Sequence, residues 1–188
     1  MKSEIEARLL EVNVSEFIDK LKSQGATLVG DWLQIRNCYD FSPVRKNNWI
    51  RLRTNGEETT LTIKEICDGS ISGTKESEIV VSDFDTTNEI LNKLGYQARS
   101  TQENRRIRYM LDGVEIDIDF WPRIPTYVEF EGESEQQIKD VCQKLDVDFS
   151  KLTTADVATI YSINGIKIVD LPAEIHLEEE RKNQKYDI

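Results

Sequence analysis

Residues 105–120 read RRIRYMLDGVEIDIDF. Asp112-Gly113 is a strong turn signal, and it separates two runs of strand-forming residues. Successive side chains along a strand point to opposite faces. Arg106 and Arg108 therefore share a face opposite Ile107, while Glu115, Asp117 and Asp119 share a face opposite Val114, Ile116 and Ile118. The stretch predicts an antiparallel hairpin with one apolar face and one ionic face.

The same alternation recurs on both sides of this hairpin. Glu4, Glu6 and Arg8 oppose Ile5, Ala7 and Leu9. Arg51 and Arg53 oppose Ile50 and Leu52, and Thr62 and Lys64 oppose Leu61 and Ile63. Glu76 and Glu78 share one parity, with Ile79 on the other, and Glu129 and Glu131 oppose Val128 and Phe130. A single strand of this kind is explained by one solvated face. The joint pattern is different, because the polar positions are mostly Glu, Asp and Arg, segregated by strand into acidic and basic sets.

The rest of the chain supplies the other elements. Residues 2–11, 27–40, 48–54, 58–66, 75–81, 98–111, 114–120 and 126–131 read as strands, with a hairpin turn at Asn55-Gly56. Residues 14–24 read as a helix with Ser15 as N-cap and Gly25 as its stop. Helices are also expected over Asp83–Leu94, over 134–145 behind a Ser134 cap, and from Thr153 or Thr154 to Ile163. The segment after Pro172 is charged and aperiodic and is expected to be a loose terminus. Roughly eight strands with a few helices give an α+β fold, with an antiparallel sheet large enough to close into a barrel.

If the helices cover the apolar face, the charged face turns inward. About six cations and nine carboxylates would then line a tunnel. Burying so many unpaired charges is prohibitive. Pairing, water and a bound metal–polyanion complex can satisfy them. Carboxylate clusters suit Mg2+ or Mn2+, and Arg and Lys clusters suit phosphate oxygens. No P-loop or GxGxxG is present, so a helix-based phosphate cradle has no support.

Bulk composition bounds the alternatives. A net charge of −11 argues against a nucleic-acid surface. No apolar run approaches the ~20 residues of a membrane span, and MKSEIEARLL carries acids where a secretory signal needs a continuous apolar stretch. A cytoplasmic protein without membrane contact is expected. Cys38, Cys67 and Cys142 lack metal-site spacing and read as buried or inert thiols. His176, the only histidine, lies in the charged tail, so nucleophilic Ser-His or Cys-His chemistry is set aside.

Glu4-Ile5-Glu6-Ala7-Arg8 resembles the ExExK signature of the CYTH superfamily, the triphosphate tunnel metalloenzymes. Further elements follow in the family's order: Arg51-Leu52-Arg53, Lys64 in LTIKE, the acidic pair in KESEIVV, Arg106 in RRIRY, Asp119 in VEIDID, and Glu129 and Glu131 in YVEFEGES. The resemblance implies a closed eight-stranded antiparallel β-barrel over residues 1–170, with helices outside and residues 171–188 as a tail. It implies a metal site of Glu4, Glu6, Asp119, Glu129 and Glu131 for Mg2+ or Mn2+. Arg8, Arg51, Arg53, Lys64 and Arg106 would hold phosphates, joined by Arg108, and Glu4, Glu6 and Arg8 would form the catalytic group. Lys151 or Lys167 would supply a late basic contact. Two departures stand out: the motif lysine is Arg8, and a lysine expected before Arg106 is Asn104, its charge lost or taken over by Arg105 or Arg108.

The implied activity is metal-dependent hydrolysis of a triphosphate: tripolyphosphate, thiamine triphosphate or a nucleoside triphosphate. A class IV adenylyl cyclase making cyclic AMP is the main alternative. A non-catalytic polyphosphate-binding module and a plain barrel with a solvated charged face stay open. Trp32, Tyr39, Trp49 and Trp121 are the aromatics that could stack on a base or thiazolium, or simply pack. A monomer or homodimer is expected.

Overall fold

The computed structural model describes residues 1–188. Eight antiparallel strands form the barrel: β1 (Lys2–Leu9), β2 (Thr27–Asp40), β3 (Asn48–Thr54), β4 (Thr59–Ile66), β5 (Thr74–Val81), β6 (Ala98–Leu111), β7 (Val114–Phe120) and β8 (Tyr127–Gly132). Their order is β2-β3-β4-β5-β1-β8-β7-β6, and pairing of β2 with β6 closes the ring. The hairpin read from residues 105–120 is present, with Arg106 opposite Asp119 and Arg108 opposite Asp117. Strand parity and ring closure together put the ionic rows on the barrel's inner face.

The outer apolar face is covered unevenly. Helices α1 (Val14–Ser23) and α3 (Glu135–Lys144) bury Phe17, Ile18, Leu21, Ile138, Val141 and Cys142 against Ile107, Ile116, Ile118, Val128 and Phe130. A buried aliphatic or aromatic side chain contributes roughly 1.5–3 kcal/mol, so this side of the barrel carries most of the hydrophobic stabilisation. Helix α2 (Phe84–Lys93) covers a smaller cluster of Tyr39, Ile50, Leu52 and Leu91. Short α4 (Val157–Ile163) packs Ile160 and Tyr161 onto Trp121, Ile124 and Tyr127.

Two helix starts are corrected, and one of the three cysteines is exposed. The first helix is capped by Asn13, whose side chain accepts from the Glu16 amide, so Ser15 is already inside the helix. The last barrel-packing helix starts after an Asp156 cap, because residues 153–156 stay extended: Thr153 pairs with Arg8 and the Arg8 amide donates to the Thr153 carbonyl. Cys67 is exposed, whereas Cys38 and Cys142 are buried.

The tail is docked. Its strand β9 (Glu174–Ile175) pairs in parallel with β6, and Ile175 and Leu177 are buried. Arg181, in α5 (Glu179–Asn183), donates to the carbonyls of Trp121 and Ile124 and to Thr126. Tyr186 lies on Phe120. The tail's apolar residues are too few and irregular to show a period, yet each fills a specific site. Leu177→Ala should lower the unfolding free energy by about 2–4 kcal/mol, while exposed Lys185→Ala should change it by less than about 0.5 kcal/mol. Denaturant titration checks this, and equal effects would mean the tail is undocked.

Candidate active site

The barrel encloses a cavity of about 310 Å³ lined mainly by charged and polar side chains. Every strand contributes from its inward parity. Glu4, Glu6, Arg8, Arg51, Arg53, Lys64, Arg106, Arg108, Glu129 and Glu131 all line it, as the alternation predicts. Asp117 and Asp119 lie behind that surface, nearly or wholly inaccessible, as partners of the arginines.

The charges pair across neighbouring strands. Arg106 is the hub. Its Nε and Nη2 donate to the two Asp119 oxygens at 2.8 and 2.5 Å, Nη1 lies 2.5 Å from Asp117, and Nη2 lies 3.4 Å from Glu129. Arg8 holds Glu129 at 2.6 Å and Glu6 at 2.9 Å, and its other Nη donates to the Ala155 carbonyl. Lys64 meets Glu4 at 2.9 Å and Glu76 at 3.5 Å. Arg51 meets Glu78 at 3.2 Å, with Thr62 bridging the pair, and Arg53 lies 3.8 Å from Glu78. Arg108 spans Asp117 and Glu115.

These contacts set the proton affinities. Burial alone would raise the Glu129 carboxyl, but Arg8, Arg106 and Lys64 outweigh it and hold the group well below the usual range. Burial would weaken the Arg106 proton, yet Asp117, Asp119 and Glu129 fix it firmly. Glu131 has no cationic partner. It faces Glu6 on β1 and Glu115 on β7, and burial followed by the charges of Glu129, Glu4, Glu115 and Glu6 pushes it up to about 8. Glu6 and Glu4 are also raised, burial being the largest cause in each.

The five predicted metal ligands therefore divide. Asp119 is fully buried with both oxygens on Arg106, and Glu129 is clamped between two guanidiniums. Glu4, Glu6 and Glu131 are the acids in excess of their cations. Their hard oxygen donors match Mg2+ or Mn2+, and an unpaired, half-buried acid among acids, Glu131, fits a site built to receive positive charge. No three acidic groups lie close enough together here to enclose an ion as they stand.

Other sequence expectations meet mixed fates. Lys151 and Lys167 lie outside the cavity lining. Arg105 points outward to Asp31, so it does not replace the charge missing at Asn104. Tyr39 is buried under α2, its hydroxyl donating to Asn88. Trp32 lies against Gly30, where any Cβ would collide with the indole, donates to Glu57, and does not line the cavity. Trp49 and Trp121 line the cavity. Arg36 on β2 was missed by sequence reasoning although it also lines it. The available signal was the parity of Gln34, Arg36 and Cys38, obscured because that strand lacks a clean ionic row.

A model of the CYTH domain matches residues 2–159. The chain belongs to the CYTH family. Among solved structures, a conserved hypothetical protein of Pyrococcus furiosus has a TM-score of 0.71 at 22% identity, covering 84% of this chain and 99% of that one. A Vibrio parahaemolyticus protein named "putative adenylate cyclase" has a TM-score of 0.70 at 14% identity, covering 86% and 98%. A Hippeastrum protein with a dominant triphosphatase activity has a TM-score of 0.59 at 14% identity, covering 92% and 99%. At these identities the likeness establishes a shared fold. No curated protein matches the chain significantly by sequence. No helix of this CYTH chain is long and apolar enough to cross a membrane.

Glu131 carries a pH prediction. An unfolded chain ionises this carboxyl near its ordinary value of 4.5, whereas burial and the neighbouring acids push it up to about 8 in the folded chain. The native state then binds more protons between those values, so stability falls as pH rises through that window. In metal-free protein, Glu131→Gln should raise Tm at pH 8.5 and change it little at pH 5. A lower Tm for the variant at pH 8.5 would contradict the assignment.

Proposed function

We propose that this CYTH domain is a divalent-metal-dependent triphosphatase. The observation that carries the reading is the segregation of the tunnel wall. Arg51, Arg53, Arg106 and Lys64 occupy one arc, and Glu4, Glu6 and Glu131 are left with excess negative charge on another. The substrate class is a compound with a linear triphosphate. Membership of the CYTH family and the shared fold support this reading, with the triphosphatase activity of the Hippeastrum protein as a precedent.

In this reading Glu4, Glu6 and Glu131 hold Mg2+ or Mn2+, with Glu129 beside them. The ion, when bound, offsets charge on phosphate oxygens and makes the phosphorus more electrophilic. Arg51, Arg53 and Lys64 grip non-bridging oxygens and fix the phosphate chain in line for attack. Arg106, locked by Asp117 and Asp119, offers a preorganised positive charge to the oxygen on which charge develops. Water attacks the terminal phosphorus, the bridging P–O bond breaks, the diphosphate part leaves with the electron pair, and the proton that the water loses passes to solvent as orthophosphate forms.

Arg8 has a different role. A guanidinium keeps its proton at working pH, and its contacts to Glu6, Glu129 and Ala155 orient the two carboxylates. Arg8 is therefore a positioning residue for Glu6 and Glu129. Asp119 acts likewise on Arg106.

A cyclase reading draws on one observation: Trp49, partly exposed, lines the cavity near Lys64, its partner across the strands, and could carry a base. Product analysis separates the two. With Mg2+ or Mn2+, tripolyphosphate, thiamine triphosphate or ATP should release orthophosphate. Release of pyrophosphate and cyclic AMP from ATP would replace the triphosphatase reading, and no turnover of any of the three would refute enzyme function. Glu4→Gln should abolish turnover in a folded protein, and Arg53→Gln should lower kcat/KM by about 100-fold. Wild-type rates in both variants would sink the site assignment.

A further inference from the structure

Arg36 is the anomaly of the tunnel. The residue is 6% exposed, and no carboxylate lies within ion-pairing distance. Its partners are neutral amides: one Nη donates to Gln34 at 3.0 Å and to the Asn104 carbonyl oxygen. Its Nε is buried without any hydrogen-bond partner. The guanidinium Cζ lies over the Trp121 ring, 4.4 Å from its centroid. Arg51, Arg53 and Arg106 are close enough to add like charge. Burial first, then Arg51 and Arg106, lower the Arg36 proton affinity to about 10. The Arg53 proton is weakened in turn by Arg51, burial, Arg106 and Arg36.

A buried, unpaired guanidinium beside three others costs several kcal/mol of folding stability in principle. Arg51 and Arg106 have carboxylates in contact to offset that cost, whereas Arg36 has only the field of Asp119, which makes no ion pair with it. The surrounding amides leave its charge unspent, and Trp121 holds the cation against its ring face. Nη2 is taken up by Gln34 and Asn104, so Nη1 and the unpartnered Nε carry the N–H groups left to donate to phosphate oxygens. The same stacking removes Trp121 as a platform: Arg36 covers one face and Tyr161 abuts the ring edge-on.

We propose that Arg36 is a phosphate anchor of the tunnel, binding the non-bridging oxygens of one phosphate group at the Trp121 side of the cavity. Any aromatic group of the substrate then lies away from Trp121. The proposal rests on the triphosphate reading of the tunnel. It adds a residue from β2 to the phosphate-binding set, its side chain on the cavity wall and in contact with the Asn104 side chain.

The test measures metal-free binding of tripolyphosphate by calorimetry, together with Tm. Wild type should bind, and Arg36→Gln should bind about 10- to 100-fold more weakly, as loss of one charge-assisted contact predicts. Arg36→Lys should recover part of the affinity. Arg105→Gln, outside the barrel, controls for bulk charge and should bind like wild type. Without ligand, Arg36→Gln should raise Tm, because an uncompensated buried charge is gone; a purely structural Arg36 would give a lower Tm. Equal affinity of wild type and Arg36→Gln overturns the anchor while leaving the tunnel reading intact. No binding by wild type overturns the tunnel reading and the anchor with it.

Discussion

The fan of contacts around Arg106 is the constraint on which the structure depends. One guanidinium meets Asp117 and Asp119 on β7 and Glu129 on β8, while Arg8 reaches the same Glu129 from β1. A barrel with its ionic face inward is stable only if most of those charges find a partner in low dielectric. Antiparallel register supplies the partners: acids of β7 and β8 stand beside bases of β6 and β1. Removing either side of such a pair would leave a buried charge uncompensated, which costs more than the pair contributes.

The pairing is incomplete, and the incompleteness has two signs. Glu131, with Glu4 and Glu6 near it, leaves negative charge in excess. Arg36 and the loosely paired Arg53 leave positive charge in excess. A fold selected only for stability would pair these groups or replace them with apolar residues. Keeping both excesses in one cavity means that a ligand with complementary charges releases the cost. A triphosphate–metal complex carries both complements.

Much of this was legible in the sequence because strand parity is a strong signal. The alternation in VEIDID and EIEAR fixed which side chains share a face, and the same rows line the tunnel. Closure was not in the alternation, since a flat sheet with one wet face gives the same pattern; the β2–β6 pairing decides it. Arg36 was invisible because Gln34 and Cys38 flank it on its face and give no ionic row. The tail was misjudged for a related reason: Ile175, Leu177 and Tyr186 each dock singly, and single contacts have no period. Which acids have spare charge also depends on three-dimensional pairing. Asp119 and Glu131 look alike in the sequence, but one is saturated by Arg106 and the other has no partner.

The central claim is that a linear triphosphate lies inside the barrel between the two charge excesses. A crystal structure with tripolyphosphate and Mn2+ tests it most directly, using the anomalous signal of the metal. The account predicts the anion within the tunnel, in contact with Arg51, Arg53 and Arg106, and the metal beside Glu4, Glu6 and Glu131. An anion bound on the outer surface, or an empty tunnel at saturating ligand, would contradict it.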